Sequence, residues 1–140
     1  MSSMTATNPP AAGLTPRHLR PCPPSPNCVC SDAADAHHIE ALVLCAEPEV
    51  VWQALGKAIA ALPRARVVTS TEDYLHAECH SALFRFIDDL ELELRAHDNR
   101  IAVRSASRLG YWDMGVNRKR VEHLRCLLAT QGLVEPAKYG

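Results

Sequence analysis

Two alternating stretches on either side of a short polar turn constrain this chain more than any other feature. In Phe84–Ala96, the apolar Phe84, Phe86, Leu90, Leu92 and Leu94 share one face of an extended chain. Arg85, Asp89, Glu91, Glu93 and Arg95 share the other. Arg100–Arg108 repeats the pattern, with Ile101, Val103, Ser105 and Ser107 on one face and Arg100, Arg104 and Arg108 opposite, beside Ala102 and Ala106. Between them Asp98-Asn99 suits a tight hairpin turn, because both residues tolerate positive φ. A two-residue loop pairs Ala96 with Ile101, Leu94 with Val103 and Leu92 with Ser105. It also sets Glu93 opposite Arg104 and Asp89 opposite Arg108, joining opposite charges across the strands. A longer loop would shift this register.

The remaining elements follow from periodicity. His38–Cys45 is a short apolar run and is expected to form a strand, as are Arg66–Glu72 and Tyr74–His80. Glu47–Leu62 reads as a helix with Pro48 in its first turn and an apolar stripe of Val51, Leu55, Ala58, Ile59 and Leu62. Trp52 flanks that stripe and is expected to pack. A second helix is expected from Gly115 or Asn117 to Thr130, with Val121, Leu124, Leu127 and Leu128 as its stripe and Gly132 as its C-cap. The order β-α-β-β-β-β-α predicts an α+β fold, an antiparallel sheet of about five strands with two covering helices.

At 140 residues, 47% apolar and 22% charged, the chain is of single-domain size and is neither disordered nor fibrous in composition. Seven of its ten prolines lie at or before Pro26. Residues 1–20 are expected to form a flexible tail and 21–35 a Pro/Cys-rich lead-in. Residues 36–134 would be the α+β domain and 135–140 a C-terminal tail. No apolar run suits a signal peptide or a membrane span, so a cytoplasmic location is expected. There the six cysteines would be reduced, with Cys45, Cys79 and Cys126 as small core residues. A net charge of −1 and a basic stretch without interleaved aromatics argue against nucleic acid as a partner. No phosphate loop, nucleophile elbow or zinc-protease motif occurs, and the histidines lack metal-ligand spacing. No metal or cofactor is expected. Cys22, Cys28 and Cys30 lack the paired spacing of a zinc site, which leaves Cys22 and Cys28 weak candidates for a disulfide or a metal.

Three local rules are broken, and such breaks mark candidate sites. Asp88 stands in the apolar phase of its strand, where a carboxylate needs a partner or a raised pKa, unless a bulge turns it outward. Ser105 and Ser107 occupy the apolar phase of the next strand. Arg118, Lys119 and Arg120 stand in the first turn of the last helix, where cations oppose the helix dipole. Asp113, Asp88, Asp89 or a bound anion would compensate them. Residues 100–125 hold seven Lys/Arg against two acids, and residues 72–98 two Arg against eight acids, so the two segments can neutralise each other.

Three blocks carry a resemblance. CPPSPNCV (Cys22–Val29), YLHAECHSALFRFIDDLELEL (Tyr74–Leu94) and RSASRLGYWDMGVNRKRVEHLR (Arg104–Arg125) resemble, in order, the signature, middle and most distinctive blocks of the domain-of-unknown-function 1499 family. That family is found in bacteria and plastids and has no established activity. The resemblance implies a shared set of polar residues: Asp88, Asp89, Arg104, Ser105, Ser107, Arg108, Asp113, Asn117, Arg118 and Arg120. It also implies a paired or functional role for Cys22 and Cys28. Two departures stand out: many members look exported or membrane-anchored, and Cys30 stands where a serine is usual.

The first functional expectation is a binding module for a small anionic ligand. Arg108, Arg118 and Arg120 would hold the charge, Asn117 and the serines would orient the ligand, and Asp88 and Asp113 would position the arginines. A second is an interaction or assembly factor that docks through Pro21–Pro26. A third is an enzyme with Asp88 as general base, which the lack of a nucleophile or cofactor motif disfavours.

Overall fold

The computed structural model describes residues 19–80 and 86–138. The tail over 1–18, Phe84 and Arg85, and the last two residues lie outside the described residues. The elements are β1 (Cys28–Cys30), β2 (Leu42–Val43), α1 (Pro48–Ala60), β3 (Ala65–Ser70), β4 (Tyr74–His80), β5 (Ile87–Arg95), β6 (Arg100–Ser107) and α2 (Val116–Ala129). All strand pairs are antiparallel, in the order β1-β6-β5-β4-β3, with β2 also on β6. The fold is α+β, as the order of periodic segments implies. Its sheet has six strands rather than about five because Cys28–Cys30 of the Pro/Cys-rich lead-in pairs with Ala106–Arg104.

One face of the sheet carries Leu75, Ala77, Cys79, Leu90, Leu92, Ile101, Val103 and Val29. They form a single core with Val51, Trp52, Leu55 and Ile59 of α1 and Val121, Leu124 and Leu128 of α2. Each fully buried aliphatic side chain there contributes about 1.5–3 kcal/mol. Trp52 is buried and its indole donates to the Thr71 carbonyl at 3.0 Å. At the far end of α2, the Leu133 amide donates to Leu128 O and the Gly132 amide to Ala129 O, with Gly132 at φ 74°. This Schellman closure is the stop expected of Gly132.

The β5–β6 hairpin corrects the expected register. Its loop is a 3-10 turn over Ala96–Asp98 closed by Asn99 at φ 55°, not Asp98-Asn99 alone. The pairs therefore slip by two: Leu94 faces Ile101, Leu92 faces Val103, Leu90 faces Ser105 and Asp88 faces Ser107. Glu91, not Glu93, lies opposite Arg104, and Asp89 lies opposite Ala106. An even slip keeps every side chain on its own face, so the sheet faces are as read while the partners change.

The second face is covered in part. Leu19, Cys30 and Ala102 form a small cluster against which Cys22, Ala33 and Tyr74 pack. Glu91, Glu93 and Arg104 are buried with it. Two of the expected core cysteines are corrected: Cys45 and Cys126 are exposed, whereas Cys79 and Cys30 are buried. Cys45 follows β2 in the turn into α1. Cys126 falls outside the arc of Val121, Leu124, Arg125 and Leu128 that α2 buries.

Candidate functional site

Asp88 sits in an unbroken ladder between Cys79 and Ser107, so no bulge turns it outward. It is buried beneath the first turns of α2, and Arg120 reaches it with Nη2 to Oδ2 at 2.8 Å. The same guanidinium donates through Nη1 to Asn117 Oδ1 at 2.8 Å and to Ser105 Oγ at 3.1 Å. Ser105 Oγ in turn donates to Asn117 Oδ1 at 2.7 Å. Asn117 is fully buried, and its amide nitrogen lies 2.9 Å from Asp113 Oδ2, 3.0 Å from Ser107 Oγ and 3.2 Å from the Asn27 carbonyl. One amide thus joins the β6 serines, the lead-in and the helix start.

The dipole problem at α2 resolves locally. Asp113 turns its carboxylate back to accept from the Gly115 and Asn117 backbone amides at 2.8 and 3.2 Å, which satisfies free helix N–H groups and places negative charge at the positive helix end. Arg120 is neutralised by Asp88. Arg118 turns to backbone, donating to the His38 and Ala36 carbonyls at 3.0 and 3.3 Å. Lys119 is exposed, and its side chain makes no hydrogen bond or ion pair among the described residues.

The other sequence candidates fall in two separate places. On the second face, Arg108 forks onto Asp89 (Nε–Oδ2 and Nη2–Oδ1, both 2.8 Å) and reaches Glu78 at 2.6 Å. Asp89 also meets His76 Nε2 at 2.7 Å. The Arg108 hydrogen bonds hold the Asp89 and Glu78 carboxyls below their ordinary range, with His76 and Arg66 adding to each in turn. Arg104 lies deeper, 3.3 Å from Glu91 and 3.4 Å from the Pro21 carbonyl, and its buried Nε has no partner among the described residues. Glu91 also accepts the Tyr74 hydroxyl at 2.8 Å.

Asp88, Ser105, Ser107, Asp113, Asn117 and Arg120 therefore form one network. Asp89 with Arg108, Arg104, and Arg118 stand outside it. Sequence reasoning missed Asn27, which is buried and donates to the Gly110 carbonyl at 2.7 Å. It also missed Arg125, which is buried, pairs with Glu122 and donates to the Glu40 and Ala41 carbonyls at 2.7 and 3.0 Å. A charged residue inside the α2 stripe was the available signal for Arg125. Cys22 and Cys28 are joined as a disulfide, and burial pushes the Cys30 and Cys79 thiols up. Among the described residues no group of His, Cys, Asp and Glu could hold a metal ion, and no helix is long and apolar enough to cross a membrane.

The Asn117 network stops just inside the β6–α2 loop, whose outer surface is apolar. Leu109, Tyr111, Trp112, Met114 and Val116 are all exposed, Trp112 at 70% and Met114 at 76%. Fold and site together define a small α+β domain whose last helix is pinned to its sheet by a buried Arg–Asp–Asn network. Residues 18–128 match the family model described as a protein of unknown function (DUF1499), and the chain belongs to that family. No curated protein and no solved structure matches it.

Proposed function

We propose that this protein is a docking module whose working surface is the β6–α2 loop. The observation that carries this reading is the run of five large apolar side chains exposed within eight residues, Leu109 to Val116. Trp, Tyr and Met are the residue types enriched in recognition surfaces, and a contiguous exposed group of them is unusual on a domain that works alone. The buried network below supplies a rigid mount. It fixes both ends of the loop through Asn27–Gly110 and Asp113–Gly115. This moves the interaction reading away from Pro21–Pro26, which is engaged by the Cys22–Cys28 bridge and by Arg104.

The test is site-specific photo-crosslinking in cells. A photoreactive residue at position 112 is expected to give discrete adducts, and one at the exposed Glu72 to give none. Equal labelling at the two positions would overturn the reading.

A small anionic ligand is the second reading, and Arg104 favours it. An anion entering at Arg120 would have to displace Asp88, Ser105 and Asn117. Arg104 instead keeps a buried Nε with no partner among the described residues, and the exposed Arg20 stands over its partner Glu91 at 3.9 Å. Phosphate titration followed by NMR is expected to move the Arg104 Nε–H resonance first. A resonance that stays fixed at millimolar phosphate rules this reading out. Nothing in the geometry offers Asp88 a substrate to deprotonate, since its burial and Arg120 close it off.

The bridge also bears on compartment. Cytoplasmic thiols are ordinarily kept reduced, so a Cys22–Cys28 bridge supports an oxidising compartment over the cytoplasm.

A further inference from the structure

We propose that the β6–α2 loop docks onto an anionic lipid surface, a partner assignment that rests on the docking reading above. Three observations point to lipid. The first is composition: Leu109, Tyr111, Trp112, Met114 and Val116 are all exposed within eight residues, and Trp and Tyr side chains suit the boundary between headgroups and acyl chains. Phe86, also exposed, immediately precedes β5 at the same end of the sheet, where Ile87 O accepts from the Arg108 amide.

The second is the fate of the acids. The loop's own carboxylate, Asp113, is turned inward onto the Gly115 and Asn117 amides. Asp88 is held by Arg120, Asp89 and Glu78 by Arg108, and Glu122 by Arg125. None of these carboxylates is left without a cation or helix end to oppose a negatively charged surface.

The third is the cations. Arg118 spends its side-chain hydrogen bonds on neutral carbonyls, so its charge is not cancelled, and the Lys119 ammonium has no partner among the described residues. Both lie on the first turn of α2 directly after the apolar run. An apolar tip with a cationic rim matches lipid headgroups of negative charge, where each basic residue near the surface adds to binding.

The chain's two tryptophans make the test direct: Trp52 is buried and Trp112 exposed, so a change in emission on binding reports the loop. The full protein is mixed with phosphatidylcholine vesicles with and without phosphatidylglycerol. A blue shift and co-sedimentation with the anionic vesicles alone are expected, both falling as salt rises. Trp112→Ser and Lys119→Glu should each weaken sedimentation by about tenfold, while Val68→Ser, at an exposed apolar residue elsewhere, should bind as the unaltered protein does. Binding to neither vesicle, or binding that survives Trp112→Ser, overturns the proposal. So does a concentration-dependent blue shift without vesicles, which would mean that a second copy covers the loop. Protein adducts from position 112 without vesicle binding would sink lipid as the partner and leave the docking reading standing.

Discussion

Arg120 reaches from the first turns of α2 back to Asp88 on β5, Nη2 to Oδ2 at 2.8 Å, and both side chains are largely out of water. The pair joins two segments whose charges oppose each other, residues 72–98 and 100–125. Removing one partner of a buried pair leaves the other charge unsatisfied, which costs more than the pair contributes. Asp88→Ala should therefore lower unfolding free energy by about 3 kcal/mol in urea titration. Adding Arg120→Met to that variant should restore a large part of the loss. A double variant no more stable than Asp88→Ala would mean that Arg120 acts through Ser105 and Asn117 instead.

Asp89 and Glu78 give a pH signature. Arg108 depresses both carboxyls in the folded state. A depressed folded value means that the stabilising effect is present above the unfolded value and is lost as pH falls through the folded one. Stability should thus decline below about pH 4, the ordinary carboxylate range. Arg108→Gln should flatten the decline, because the two folded values return toward normal. His37 runs the other way: the Ser25 carbonyl and Asp35 raise its folded value. Its contribution should be complete below about pH 6.5 and fade as pH rises through the folded value. Urea midpoints from pH 3 to 9 for the unaltered protein, Arg108→Gln and His37→Ala check both signs.

The faces of β5 and β6 were legible in the sequence because alternation depends only on whether a position is odd or even. The register was not, because a slip by two leaves that pattern intact and Ala96-His97-Asp98 carry no strong turn signal. Of the candidate site, Asp88, Ser105 and Ser107 could be found as polar residues in an apolar phase, and Arg120 as a cation at the wrong helix end. Asn117 came only through the resemblance, and Asn27 not at all. Each looks like an ordinary polar loop or helix-start residue until the lead-in strand is laid against β6. The covered second face was hidden for a related reason. Glu91, Glu93 and Arg104 alternate as a solvated face would, while the Pro-rich segment that buries them reads as a linker.

The bridge between Cys22 and Cys28 closes a short loop, at a sequence separation of 6. Loop-closure entropy for such a ring is about 2 kcal/mol. Denaturing mass spectrometry without reductant should give a mass two units below that of the reduced chain. Reduction should lower stability by about 2 kcal/mol and speed hydrogen exchange at the Cys30 and Ser31 amides, which bond to His37 and Val103 carbonyls in the covering layer. An intact reduced mass from freshly isolated protein would support the cytoplasmic expectation instead.

Asn99 holds the longer hairpin loop in two ways. Its backbone sits at φ 55°, and its side-chain amide donates to the Leu44 carbonyl at 3.0 Å, tying the turn to the end of β2. The two contributions separate by substitution. Asn99→Gly keeps the left-handed backbone accessible and loses only the side-chain bond, an expected cost of about 1 kcal/mol. Asn99→Ala loses the same bond and adds left-handed strain, for about 2–3 kcal/mol in all. If urea titration finds the two variants equally stable, the left-handed conformation is not what selects the residue. The loop length, and with it the Leu92–Val103 register, must then be set by the Leu44 bond and by the packing of Leu92 and Val103 beneath the helices.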